Sequence, residues 1–161
     1  MTHLLARYEA LVSAGELRPD PEQKTAAMRL HALQNELESG NGQPGLFGKL
    51  LGKKAKPPRG IYMWGGVGRG KSMLMDLFHD TLAIPEKRRV HFHAFMLEVH
   101  ATLREVRASE SGDPIPLVAA RLAQGLRVLA FDEMVVNNSA DAMIMSRLFT
   151  ALMMDEGVTM V

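Results

Sequence analysis

The chain of 161 residues has no cysteine. That excludes disulfides and thiolate metal sites and leaves the compartment unconstrained by redox. Aromatic residues are scarce, at 6%, and the net charge is only +1. A single-strand nucleic-acid binder needs a basic stripe interleaved with stacking aromatics, so both figures argue against nucleic acid as a partner. No apolar run approaches the roughly 18 residues of a membrane span. The N-terminus carries acids early and reads as an amphipathic helix, unlike a signal or transit peptide. These absences point to a cytoplasmic protein. What is present is ordinary for a globular chain: 47% hydrophobic and 23% charged residues, in a length sufficient for one domain with a real core. Most of the twelve methionines fall at helical apolar positions, where a flexible side chain fills a core.

Gly65-Gly66-Val67-Gly68-Arg69-Gly70-Lys71-Ser72 fits the phosphate-loop pattern G-x-x-x-x-G-K-[ST] at every fixed position. Its flanks suit the pattern. Gly60-Ile61-Tyr62-Met63-Trp64 before it is β-branched and aromatic, as a buried strand is. Met73-Leu74-Met75-Asp76-Leu77-Phe78 after it has apolar residues at helical spacing. Successive backbone N–H groups in such a loop form a nest for triphosphate oxygens. Gly65, Gly68 and Gly70 keep the backbone close to the anion and allow positive φ. The following helix aims its positive dipole end at the same place. Lys71 can reach the β- and γ-phosphates, and Ser72 can put its hydroxyl on Mg²⁺. Residues 65 to 73, Met73 included, are therefore the expected nucleotide-binding stretch. The bland alternative is a glycine-rich turn with a surface lysine, and the flanks speak against it.

Ahead of the loop, Leu4, Leu5, Tyr8, Leu11 and Val12 predict a helix stopped by Gly15. Asp20-Pro21-Glu22-Gln23 predicts a second, with Asp20 as N-cap, Pro21 at the first position and Gln23 completing a capping box. Its core face is expected at Ala26, Leu30, Leu33 and Leu37. Residues 1–38 thus form a helical hairpin, either an accessory piece or a lid. Residues 39–59, rich in Gly, Pro and Lys, read as a linker or mobile basic loop. Within it Leu46, Phe47, Leu50 and Leu51 alternate with lysines, and contact with an anionic membrane surface stays open beside a plain solvated linker. Residues 60–161 hold the nucleotide-binding core.

Beyond the loop helix, Glu86 to Arg89 reads as a solvated turn and Val90 to Ala94 as a second strand. Met96, Val99, Leu103 and Val106 then mark a helix. On this reading His91 and His93 share a strand face, with His100 on the helix. Three histidines invite zinc, but no acid or cysteine completes a set, and structural or nucleotide-linked polar roles are preferred. A short helix over Leu117 to Gln124 precedes Leu126-Arg127-Val128-Leu129-Ala130-Phe131-Asp132-Glu133. This is a near-continuous apolar strand ending in two acids, a Walker B pattern. Acids at such a C-terminal end fall where open α/β sheets bind ligands. Asp132 is expected to hold Mg²⁺ through water and Glu133 to polarise the attacking water, with Lys71 neutralising transferred charge. Asn138 and Asp141 can cap a further helix, and Val158 to Val161 begins a fourth strand.

With both motifs placed, the chain resembles the ZapE/Afg-type ATPases of the AAA+ superfamily. The resemblance rests on Gly65 to Phe78, His91-Phe92-His93-Ala94-Phe95-Met96 with Val99-His100, Leu117 to Ala123, Phe131-Asp132-Glu133 and Asp141 to Ile144. Leu5-Ala6-Arg7-Tyr8-Glu9 is also family-like. Met134 departs from the pattern, standing where an aromatic residue is expected. The resemblance implies an α/β, three-layer P-loop fold with a mostly parallel sheet in the order 5-1-4-3-2. It implies Mg²⁺-dependent ATP hydrolysis in a homo-oligomeric ring, in a cytoplasmic protein associated with the division machinery, the tubulin-like division protein and the membrane periphery. It also implies that a last strand, an arginine finger and a helical lid follow Val161, so that the chain is the N-terminal part of a longer one. Two alternatives remain beside it: a helicase-loader-type ATPase acting on nucleic acid, and a nucleotide-gated module that binds without turnover.

Overall fold

The computed structural model describes residues 3–40, 50, 57–65 and 70–161. It is an α/β chain that divides into two compact units. Of the described residues, the first holds 3–40, 58–65, 70–85 and Val161; the second holds Leu50, Pro57 and 86–160.

The first unit is helical. Helix α1, Leu4–Ser13, buries Leu4 and Tyr8. Helix α2, Pro21–Glu38, starts where Asp20 accepts hydrogen bonds from the N–H groups of Glu22 and Gln23, with proline at the first position. That satisfies two of the donors a helix start leaves over. Its buried face is Ala27, Leu30, Leu33, Gln34 and Leu37, so Ala27 takes the place expected of Ala26. Helix α3, Lys71–Thr81, buries Leu74, Met75, Leu77 and Phe78. The three helices pack on one another. A buried leucine or phenylalanine contributes about 1.5–3 kcal/mol each.

The expected strand at 60–64 is not hydrogen-bonded into a sheet. A ladder needs a second strand, and all three described strands lie in the other unit. The segment keeps the period of extended chain, with Ile61 and Met63 half-buried and Tyr62 and Trp64 exposed.

The second unit is a parallel sheet with helices. Strand β1, Lys87–His91, pairs with β2, Val128–Asp132, which pairs in turn with β3, Thr159–Met160. Between them run α4, Phe92–Ser109, and α5, Ile115–Leu122. After β2 come α6, Ser139–Thr150, and a π-helical turn, Ala151–Asp155. Asn138 caps α6 by accepting from the Asp141 N–H at 2.7 Å. The core joins Phe95, Met96, Val99, Leu103 and Val106 of α4 to Val118, Leu129, Phe131, Leu148 and Leu152.

Two expectations are corrected here. The strand begins earlier than Val90, and the presumed turn at Glu86 to Arg89 supplies most of it. Charge is tolerated because Arg88 pairs with Glu98 and Arg89 with Asp132. The strand also ends at His91. Phe92, Phe95, Met96 and Val99 are all buried at helical spacing, so the chain turns into α4 at Phe92. His91 and His93 therefore do not share a strand face.

Candidate nucleotide site

Of the phosphate-loop pattern, Gly66, Val67, Gly68 and Arg69 lie outside the described residues. The two ends of the loop are described. Gly70 caps α3 in a left-handed conformation, φ 76°. Only glycine adopts this routinely, and it brings no side chain over the first-turn N–H groups. Lys71 donates from Nζ to the Gly65 carbonyl at 2.8 Å, tying the end of the loop back to its beginning. Ser72 is exposed in the first turn of α3, and Met73 is half-buried. A cleft of about 220 Å³ opens beside Lys71, lined among others by Gln23, Arg29, Tyr62, Trp64 and Leu74.

The second unit carries the acids. Phe131 fixes the end of β2. Its ring packs edge-on against Phe95 and Phe92, with centroids 4.9 and 5.8 Å away, and stacks on Phe149 at 5.5 Å. Asp132 follows as the last strand residue, its side chain only 14% exposed. Register pairs it with His91, and pairs Ala130 with Arg89. Alternate residues of a strand share a face, so Arg89, His91, Ala130 and Asp132 lie together. Arg89 leans along the sheet and grips the carboxylate with both arms of its fork. Nε donates to Oδ2 at 2.8 Å and Nη2 to Oδ1 at 2.9 Å. Arg88, on the opposite face, forks onto Glu98 at 3.1 and 2.6 Å. That hydrogen bonding holds the Arg88 guanidinium above its ordinary pKa, against the opposing effect of burial.

Glu133 leaves the strand at φ 51° and is exposed. Among the described residues no other non-glycine has positive φ. A backbone outlier of this kind stores on the order of 1 kcal/mol and is typical of functional sites. Met134 packs against the core of its unit, filling space where an aromatic was expected.

Ser72 offers a hydroxyl and Asp132 a carboxylate. Both are hard oxygen donors of the kind Mg²⁺ takes. The histidines do something else. His100 Nε2 lies 2.9 Å from Asp141 Oδ1, and Asn138 donates to the other carboxylate oxygen at 3.0 Å. His91 and His93 are exposed, and no group of three or more metal-ligating side chains occurs among the described residues. Sequence reasoning missed Arg89, which it placed in a turn, and Gln34, a buried polar residue on an otherwise apolar stripe. No local sequence signal points to the first, because its strand and that strand's pairing with the acid-tipped one are set by distant partners.

Among the described residues no helix is long and apolar enough to cross a membrane. A model of the AFG1-like ATPases matches residues 2–161. The chain is 40% identical to a protein named cell division protein ZapE from Escherichia coli K12, over 97% of this chain and 44% of that protein. It is 35% identical to an uncharacterized Schizosaccharomyces pombe protein, over 91% of this chain and 39% of the other. It is 32% identical to lactation elevated protein 1 homolog B of Danio rerio, over 92% and 39%. The chain thus spans less than half the length of these relatives. No solved structure matches.

Proposed function

The chain belongs to the AFG1-like ATPase family, and we propose that it carries the nucleotide-binding and acid-bearing parts of a Mg²⁺-dependent ATP hydrolase. The observation that carries the reading is the Lys71 ammonium, held on the Gly65 carbonyl at the glycine-capped start of α3. A cation at a helix N-terminus, closing a glycine loop, is a ready anion site.

The residues then take these roles. Backbone N–H groups from Gly65 to Gly70 would bind the phosphates, within the nucleotide-binding stretch that runs on to Met73, and Lys71 would offset the β/γ charge. Ser72 and Asp132 hold Mg²⁺, Asp132 through water. When bound, the metal supplies charge neutralisation at the phosphoryl oxygens. Glu133 accepts a proton from the attacking water. As in the relative named a cell division protein, we place the activity in cell division. The family resemblance supports a cytoplasmic ring of identical subunits acting near the membrane on the tubulin-like division protein.

Two variants of the complete protein test the reading. Lys71→Ala is expected to weaken ATP binding at least about tenfold, by loss of charge-assisted contacts. Glu133→Gln is expected to bind ATP normally and to lose turnover by roughly 10²–10⁴-fold. Normal turnover in Glu133→Gln would remove Glu133 from the proton-accepting role. Unchanged ATP affinity in Lys71→Ala would remove the phosphate site.

A further inference from the structure

We propose that the cleft beside Lys71 takes the nucleobase of the bound nucleotide, with Trp64 and Tyr62 as the faces on which the ring stacks. This deepens the reading of Lys71 as a phosphate-binding residue and rests on it. Every residue lining the cleft belongs to the first unit. The extended run before Gly65 forms one side, and the start of α2 and the start of α3 form the others. Tyr62 is 69% and Trp64 84% exposed. Among the described residues neither side chain has a hydrogen bond or a ring contact. Two large aromatic faces left open at the rim of a cleft mark a binding surface. Leu74 and Ala26 supply apolar lining beside them.

Size and charge select the occupant. The volume of about 220 Å³ is below the roughly 300–1,000 Å³ of sites that enclose a whole drug-sized ligand, and it suits one flat ring system. Asp20 and Glu22 line the cleft together with Arg29 and Lys71, so carboxylates oppose any anion that the cations attract into it. A neutral ring meets no such opposition. Its charged tail is left to Lys71, which the Gly65 carbonyl holds at 2.8 Å. The extended run adds a way to hold the ring's edge. From Ile61 to Trp64 no backbone N–H or carbonyl is hydrogen-bonded among the described residues, so both remain for the donors and acceptors of a base. Stacking on an aromatic side chain strengthens binding by about five- to a hundredfold per base and tolerates any base.

The test compares ATP with inorganic tripolyphosphate, which has no base, by calorimetry on the complete protein. Trp64→Ala is expected to bind ATP about tenfold more weakly and tripolyphosphate within about twofold of wild type. Trp64→Phe keeps a stacking face and is expected to restore most of the ATP affinity. ATP affinity within about twofold of wild type in Trp64→Ala overturns the proposal. So does an equal loss for ATP and tripolyphosphate, which would mark damage to the phosphate site and not a lost stack. If Trp64→Ala does not fold, the same comparison in Tyr62→Ala decides by the same two criteria. Lys71→Ala tests the underlying reading separately, and is expected to weaken ATP and tripolyphosphate alike. Undiminished tripolyphosphate binding in that variant removes Lys71 as a phosphate ligand, whatever the two rings do.

Discussion

The side-chain amide of Gln34 donates to the carbonyl of Thr81, 2.8 Å away and 47 positions along the chain. The same amide donates to Glu38 Oε1 at 3.0 Å, and its oxygen accepts from the Leu4 N–H at 3.2 Å. Glu38 Oε1 in turn accepts from the Ala83 N–H at 2.9 Å. One buried polar side chain thereby serves the start of α1, the body of α2 and the end of α3, the helix that begins at Lys71. The last-turn carbonyls of a helix need partners, and here one comes from another helix.

Replacing Gln34 should therefore cost more than one hydrogen bond. Gln34→Leu keeps the bulk and leaves the Leu4 N–H and the Thr81 carbonyl without this partner. The expected loss is about 2–4 kcal/mol, read from urea unfolding midpoints of the complete protein. A loss under about 0.5 kcal/mol would show that the network contributes only shape.

Tyr8 gives an alkaline signature. Its hydroxyl donates to Gln23 Oε1 at 3.2 Å, and the ring is buried. Burial raises its pKa above the ordinary 10.0, and the nearby Asp20 charge raises it further. The sign follows directly. Below pH 10 the phenol is neutral in both folded and unfolded chains, and its contribution is fully present. As pH rises through 10 and toward the folded value, the unfolded chain loses its proton first and stability falls. Tyr8→Phe should lose about 0.5–1.5 kcal/mol at neutral pH and show a shallower decline above pH 10. Parallel pH profiles for the two proteins would remove Tyr8 from the alkaline transition.

Glu133 separates function from stability. A left-handed backbone at a side-chain-bearing residue costs about 1–2 kcal/mol, and glycine avoids it while adding about 0.5–1 kcal/mol of unfolded-state entropy. Glu133→Gly should thus leave the melting temperature unchanged or raise it slightly, whereas the β-branched Glu133→Val should lower it. Turnover should fall in both. A clear drop in stability for Glu133→Gly would mean that the carboxylate itself supports the fold.

Local signals were enough for much of this architecture. The Asp20-Pro21 start of α2, the glycine after α1 and the Asn138 cap of α6 each follow from chemistry within four residues. So does the apolar strand ending at Asp132. Failures came where distant partners decide. Lys87, Arg88 and Arg89 look like a turn when judged by charge, and become a strand because Glu98 and Asp132 neutralise two of them. His93 looks like strand by alternation, and becomes helix because Phe92, Phe95, Met96 and Val99 bury together. The extended run at Ile61 to Trp64 has the composition of a strand, but composition does not supply the neighbouring ladder. The grip of Arg89 on Asp132 was not legible, since nothing local links position 89 to position 132.

Gln23 and Gly70 supply the last test, because their contact ties α2 to the start of α3. A Cβ at Gly70 would come within 2.4 Å of Gln23 Nε2, closer than any real contact, and φ there is +76°. Gly70→Ala therefore carries two separable penalties. The backbone part is about 1 kcal/mol after the entropy gain, and no neighbour can relieve it. The steric part falls on a flexible amide and should add about 1 kcal/mol. Gln23→Ala removes that amide, so the double variant should be more stable than the sum of the single losses by about 1 kcal/mol. Strict additivity in the unfolding free energies would show that the amide moves aside freely. A coupling near 1 kcal/mol would show that α2 presses on the residue from which α3 springs.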